Sequence, residues 1–69
     1  MRPNDSNTLY NAACTYGVLQ MKQETLEMFR RSVEAGFGDL DLAARDTDLA
    51  CIHTDPEFQK IIESHRPTA

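Results

Sequence analysis

Residues 8–20 read TLYNAACTYGVLQ and residues 23–35 read QETLEMFRRSVEA, and the architecture of the chain follows from these two segments. Apolar side chains recur in both at steps of three and four, which is the period of an amphipathic helix. The apolar positions are Leu9, Ala12, Ala13, Tyr16 and Leu19 in the first stretch and Leu26, Phe29 and Val33 in the second. Gly36 follows the second stretch, and glycine readily adopts the left-handed conformation that closes a helix. The pair predicts a helical hairpin.

The remainder of the chain predicts shorter helices that begin at aspartates. Asp39 is a candidate cap for a brief helix, and Asp46 or Thr47 is a candidate cap for the next. Asp55 and Pro56 predict the start of a final helix, because proline fits the first helical position. No strand pattern is present. The expected fold is therefore all-α, a hairpin followed by short capping helices.

The length of 69 residues allows one domain with one hydrophobic core. We expect a flexible leader over residues 1–7, a single helical domain over residues 8–64 and a tail over residues 65–69. Ser6 or Asn7 is the expected cap of the first helix. The predicted core is Leu9, Ala13, Tyr16, Leu19, Leu26, Phe29, Val33, Phe37, Leu49, Ile52, Phe58 and Ile61.

The charge balance excludes several classes of partner. Seven basic against eleven acidic residues give a net charge of −4, whereas nucleic acids and anionic lipids require clustered cations. No apolar run approaches the ~20 residues of a membrane span. Two cysteines, Cys14 and Cys51, do not make a disulfide framework, so we expect reduced thiols and a cytoplasmic protein. No nucleic acid and no membrane is expected as a partner.

The first helix carries no charged residue between positions 8 and 20, although a face in water normally carries some. This helix is therefore either packed on two sides or presents a semi-apolar surface to a partner. The residues of its second face, the candidate protein-binding residues, are Tyr10, Asn11, Cys14, Gly17 and Val18. Gly17 costs about 1 kcal/mol relative to alanine inside a helix. It indicates either close approach of another backbone or a frayed helix end.

Residues 39–55 contain five aspartates and one arginine. The net charge of this segment is therefore −4, the same as that of the whole chain. Most of these aspartates are expected to cap helices, and a cation site is the alternative. The four cysteine and histidine residues include one close pair, Cys51 and His53, whose spacing suits zinc poorly. We therefore expect no metal, no cofactor and no catalytic residue, and hence no enzyme.

The hairpin has the residue pattern of a known repeat. In the first helix of that repeat, certain positions hold a large residue, a small residue or a tyrosine. Here those positions are occupied by Leu9, Ala12, Ala13 and Tyr16. Small and aromatic positions of its second helix are matched by Thr25, Phe29 and Ser32. This pattern resembles a tetratricopeptide repeat (TPR), a helix–turn–helix unit of 34 residues. Three positions depart from it: Thr25 replaces the usual alanine, Gln20 stands where a turn glycine is common, and no proline follows the second helix.

The C-terminal part of the chain makes the resemblance more specific, because it resembles one particular type of TPR module. The segments 46–49 (DTDL) and 55–59 (DPEFQ) look like the closing segment of the TPR "end-of-group" module, and Asn11, Ala13 and Cys14 resemble its opening. The resemblance implies a terminal repeat and capping region that closes a helical solenoid, as found in bacterial multidomain proteins.

The expected function is that of a protein-protein interaction module or scaffold without catalysis. It would pack against a neighbouring repeat, a partner protein or a second copy of itself, as a homo-oligomer or a fragment of a longer repeat protein. The alternative is a small regulatory or sensory domain that binds a metal or small ligand through residues 39–55 or the Cys and His residues.

Overall fold

The computed structural model describes residues 5–65, and within that range the chain is all-α and contains no strand. The elements are α1 (Ser6–Val18), α2 (Lys22–Glu34), α3 (Leu40–Arg45), a 3-10 helix (Thr47–Ile52) and α4 (Pro56–His65). Residues 1–4 of the predicted leader and residues 66–69 of the predicted tail lie outside the described residues. The expected order of a hairpin followed by short helices is confirmed.

Helix α1 begins two residues earlier than the sequence pattern suggested, at Ser6. Its cap is Asp5, so the expectation of Ser6 or Asn7 as the cap is wrong. The Asp5 Oδ2 atom accepts hydrogen bonds from the backbone N–H groups of Asn7 at 3.1 Å and Thr8 at 3.3 Å. A carboxylate also suits the positive end of the helix dipole, which explains why the earlier residue caps the helix.

The three aspartates expected to begin the later helices do so. Carboxylate oxygens of Asp39, Asp46 and Asp55 each accept a backbone N–H two or three residues further on, at 3.2, 3.0 and 2.8 Å. Of the two alternatives for the 3-10 helix, the cap is Asp46 and not Thr47. Capping thus accounts for three of the five aspartates in this acidic segment.

The core lies between the hairpin and the later helices. Eight of the twelve predicted core residues are buried; Leu26, Phe37 and Tyr16 are half-buried, and Leu19 is 61% exposed. The buried residues that the sequence pattern did not identify as core are Tyr10, Gly17, Leu40, Ala43 and Ile62, together with the polar Thr25 and Ser32. Phe29 is fully buried and contacts Phe58 with ring centroids 5.0 Å apart.

Leu19 is exposed because it lies in the turn that ends α1. The Met21 N–H donates to the Tyr16 carbonyl, and the Gln20 N–H donates to the Gly17 carbonyl, both at 3.0 Å. This is a Schellman closure, and it places Gln20 in the left-handed region at φ 62°. Helix α2 ends with the same pair of hydrogen bonds, with Gly36 at φ 114° in the equivalent position.

The comparison of the two helix ends gives a prediction. The substitution Gln20→Gly should raise the free energy of unfolding by up to ~1 kcal/mol, because glycine adopts positive φ without the steric cost of a Cβ atom. Urea denaturation would measure the change. The matched control is Gly36→Ala, which should lower stability by about 1 kcal/mol for the same reason. A loss of stability in Gln20→Gly would contradict this explanation of the turn.

Candidate functional site

Helix α1 is packed on two sides within its own chain. Helix α2 lies against one side and the 3-10 helix Thr47–Ile52 against another. An ideal Cβ atom placed on Gly17 would lie 2.0 Å from the carbonyl oxygen of Asp48. Of the two interpretations of Gly17, close approach of another backbone is therefore correct. The same packing explains why part of this uncharged helix does not face water.

The five candidate protein-binding residues do not share an open face. Tyr10 and Gly17 are buried against the rest of the chain, and Cys14 is half-buried beside Asp46. Asn11 and Val18 are exposed, and Val18 is 62% exposed. The physical reason is that the 3-10 helix already covers the side of α1 that carries Tyr10, Cys14 and Gly17.

A hydrogen-bonded group of side chains joins α1 to the start of the 3-10 helix. The Tyr10 hydroxyl donates to Asp46 Oδ2 at 2.6 Å, and the Cys14 thiol donates weakly to the same oxygen at 3.6 Å. The other oxygen of Asp46 accepts the backbone N–H of Asp48 at 3.0 Å. The Tyr10 ring stacks on Phe37 with centroids 4.2 Å apart. We call Tyr10, Cys14 and Asp46 the Asp46 cluster.

The burial and charge of this cluster fix its protonation state. Burial raises the pKa of the Cys14 thiol to about 11, and the adjacent negative charge of Asp46 contributes to this rise. Burial, and the hydrogen bond to Asp46, also hold the pKa of Tyr10 far above its usual value. The Tyr10 hydrogen bond lowers the pKa of Asp46. At neutral pH the cluster is therefore one carboxylate held by two protonated donors.

The sequence left metal binding by the aspartates of residues 39–55, or by the cysteines and histidines, as the alternative hypothesis. Among residues 5–65, ligand atoms of Cys14, Asp46 and Asp48 come within 4.8 Å of one another. The Asp46 carboxylate already accepts a hydrogen bond from the Tyr10 hydroxyl, and a protonated thiol is a poor ligand and a poor nucleophile. The geometry thus suits a link between two elements better than a site for an ion.

The remaining cysteine and histidine side chains lie elsewhere in the fold. The ring of His53 contacts the Ala43 carbonyl at 2.9 Å, and the ring of His65 contacts the carbonyl one turn earlier in α4. The Cys51 sulfur lies 4.0 Å from the Gly17 carbonyl oxygen. These three residues do not join Cys14 in a common site among the described residues.

The Asp46 cluster was missed because its partners are 36 residues apart in the chain. A signal was nevertheless present. Tyr10, Ala13, Cys14 and Gly17 stand at i, i+3, i+4 and i+7, which is one helix face with three small residues. Such a face indicates close approach by a further segment, here the 3-10 helix.

A different surface remains open, and we call it the hairpin cleft. It lies between α1 and α2, has a volume of about 380 Å³ and is open to solvent. The half-buried side chains of Tyr16 and Met28 supply its apolar part. Three exposed polar side chains complete the lining: Gln23, Glu24 and Glu27.

An exposed apolar segment adjoins the hairpin cleft at the α1–α2 turn. Val18 and Leu19 are 62% and 61% exposed, and Met21 is 37% exposed. The Met21 N–H donates to the carbonyl of Tyr16, a lining residue of the cleft, so the turn and the cleft are neighbours. Single exposed apolar side chains are ordinary on a surface. Three of them within residues 18–21, next to a cleft, mark this turn as a candidate interaction site.

No helix in the described part of the chain has both the length and the apolar character that a membrane crossing requires. Comparison with protein-family models, with curated proteins and with solved structures found no match for this chain.

Proposed function

We propose that this chain is a protein-protein interaction module that binds another polypeptide through the open side of its α1–α2 hairpin. The asymmetry of the hairpin supports this proposal. One side of α1 is covered by the 3-10 helix of the same chain, whereas the turn beside the hairpin cleft leaves apolar side chains in solvent. No catalysis by the chain itself forms part of the proposal.

The observation that carries the proposal is the exposure of Val18 and Leu19. Both belong to a segment, residues 6–21, that contains no charged side chain. Covering a surface without charges avoids the large desolvation cost of charged groups, and its apolar atoms gain about 25 cal/mol per Å² buried. The exposed Val18 and Leu19 side chains are therefore favourable to bury, and no charge in this segment has to be desolvated with them.

The resemblance to a terminal TPR-like repeat suggests what the partner is. In that arrangement the later helices cap one side of the hairpin, and the open side packs against a preceding repeat or a second copy. We further propose a scaffold role in a bacterial cytoplasm, either as a homo-oligomer or as part of a longer repeat protein. Two free cysteines are consistent with a reducing compartment.

Light scattering behind a sizing column, across a dilution series, tests self-association. If a second copy is the partner, Leu19→Lys should shift the mass towards the monomer, because a lysine ammonium resists burial in an apolar interface. The matched control is Leu42→Lys, since Leu42 is a 39% exposed leucine on α3. Tyr10→Lys is not a suitable probe, because Tyr10 is buried in the monomer.

We expect the control to keep the wild-type mass at every concentration. Equal dissociation in both variants would show that any apolar exposure drives association, and it would contradict an interface at the hairpin turn. A wild-type monomer at all concentrations would rule out the second copy. In that case, equal binding of wild type and Leu19→Lys to every other chain tested would contradict the proposed face.

A further inference from the structure

The lining of the hairpin cleft combines apolar side chains with two glutamates. Tyr16 and Met28 are both half-buried and line the cleft, so each exposes part of its surface there. Glu24 and Glu27 lie on the α2 side, one turn apart. This combination fits a ligand with a long apolar stem and a positive end.

The two carboxylates differ in how their charge is compensated. Glu27 pairs with Arg30 at 2.6 Å and lies 3.9 Å from Arg31. Glu24 forms no ion pair with any residue in the described range. Lys22, a cation of the same helix turn, pairs with Asp55 at 3.2 Å and so is directed to the start of α4. Glu24 is therefore the carboxylate of the cleft that is available to a partner.

We propose that the hairpin cleft receives an arginine or lysine side chain from a partner protein, with its cation at Glu24 and its methylene stem along Met28. This deepens the proposed function and rests on it. Long basic side chains bury their stems on apolar surfaces while their charged ends keep polar contacts. Tyr16 also lines the cleft, and an aromatic ring attracts a cation that lies over its face within about 6 Å of the ring centre. The net charge of −4 also draws a basic partner towards this chain.

A small probe that carries the chemistry of one basic side chain tests the proposal directly. N-acetyl-arginine amide, titrated into isotope-labelled protein, should shift the NMR signals of the Met28 methyl group and of the Tyr16 ring. The expected dissociation constant is about millimolar, as for other ligands of this size. N-acetyl-citrulline amide has nearly the same shape without the charge, and it should produce much smaller shifts at equal concentration.

Two matched glutamate variants locate the charge. Glu24→Gln should weaken binding of the arginine amide about fivefold, which is the scale of one exposed ion pair. Glu63→Gln removes an exposed glutamate of α4, which does not line the cleft, and should leave binding unchanged. Equal effects of the two variants, equal binding of the citrulline amide, or no shifts at Met28 and Tyr16 would each overturn the proposal.

These outcomes are separate from those of the association experiment. If Leu19→Lys disrupts binding to another chain while the arginine amide leaves Met28 and Tyr16 unaffected, the interaction face stands and the basic ligand is wrong. If the arginine amide binds as expected and no interface involves Leu19, the cleft recognises a cation but the proposed face of the module is wrong.

Discussion

Gly17→Ala is expected to lower the free energy of unfolding by about 3 kcal/mol, at the upper end of the usual cost of inserting atoms into a packed core. The new Cβ atom would lie 2.0 Å from the Asp48 carbonyl oxygen and 3.0 Å from its carbonyl carbon. Both are backbone atoms, so no side-chain rotation can relieve the overlap. The 3-10 helix must therefore move away from α1, and the Asp46 cluster is disrupted with it.

Thermal and urea denaturation of the whole chain would measure this cost. Gly38→Ala is the matched control, because the nearest atom to its new Cβ would be 4.0 Å away and its backbone is not in the left-handed region. We expect Gly38→Ala to change stability little. A single core of this size rarely supplies more than ~3–5 kcal/mol, so a loss of about 3 kcal/mol should leave Gly17→Ala only marginally stable. Two variants of equal stability would show that α1 and the 3-10 helix are not tightly packed.

The fold class and the helix order were predictable from local signals. Asp39, Asp46 and Asp55 cap helices because a short carboxylate satisfies backbone N–H groups that have no partner within the helix. Gly36 ends α2 because it adopts a positive φ. These effects act over two to four residues, so the sequence contains all the information that they need.

The positions of Tyr10 and Leu19 were not predictable in the same way. Tyr10 can be buried because Asp46, 36 residues away, accepts a hydrogen bond from its hydroxyl, and helix periodicity contains no information about such a partner. Leu19 fits the apolar period of α1, but the helix ends one residue earlier and the chain turns at Gln20 with φ 62°. Periodicity describes a helix only as far as the helix extends.

These two differences relocate the candidate interaction surface. Periodicity placed Tyr10 on the binding face and Leu19 in the core, whereas the structure exchanges their environments. The uncharged character of α1 therefore has two causes. One side is neutral because the 3-10 helix covers it, and the exposed apolar turn at Val18 and Leu19 is the part left without an intramolecular explanation.

The second large effect is expected at the Asp46 cluster. Tyr10→Phe should lower the free energy of unfolding by about 1.5–3 kcal/mol, the usual range for a hydrogen bond to a charged group. The phenylalanine ring can keep the stacking on Phe37, so the loss isolates the hydroxyl–carboxylate bond. Tyr16→Phe is the matched control. Tyr16 is half-buried, and its hydroxyl makes no hydrogen bond with any residue from 5 to 65.

The difference in the free energy of unfolding between wild type and Tyr10→Phe should decrease at both acidic and alkaline pH. The lowered pKa of Asp46 means that its contribution is present above its ordinary pKa of 3.8 and is lost as the pH falls through the folded-state value. The raised pKa of Tyr10 has the opposite sign. Its contribution is present below the ordinary value of 10.0 and declines as the pH rises above it, because the unfolded chain then releases a proton that the folded chain retains.

Urea denaturation of wild type, Tyr10→Phe and Tyr16→Phe between pH 3 and pH 11 would measure this difference. The gap between wild type and Tyr10→Phe should be widest near neutral pH and should narrow at both ends. Cys14 adds a loss between about pH 9 and pH 11 in all three proteins, since its folded-state pKa is about 11 against an ordinary value of 9.0. A gap near zero across this range would mean that Tyr10 stabilises the fold through its ring alone. The Asp46 carboxylate would then cap the 3-10 helix without linking it to α1.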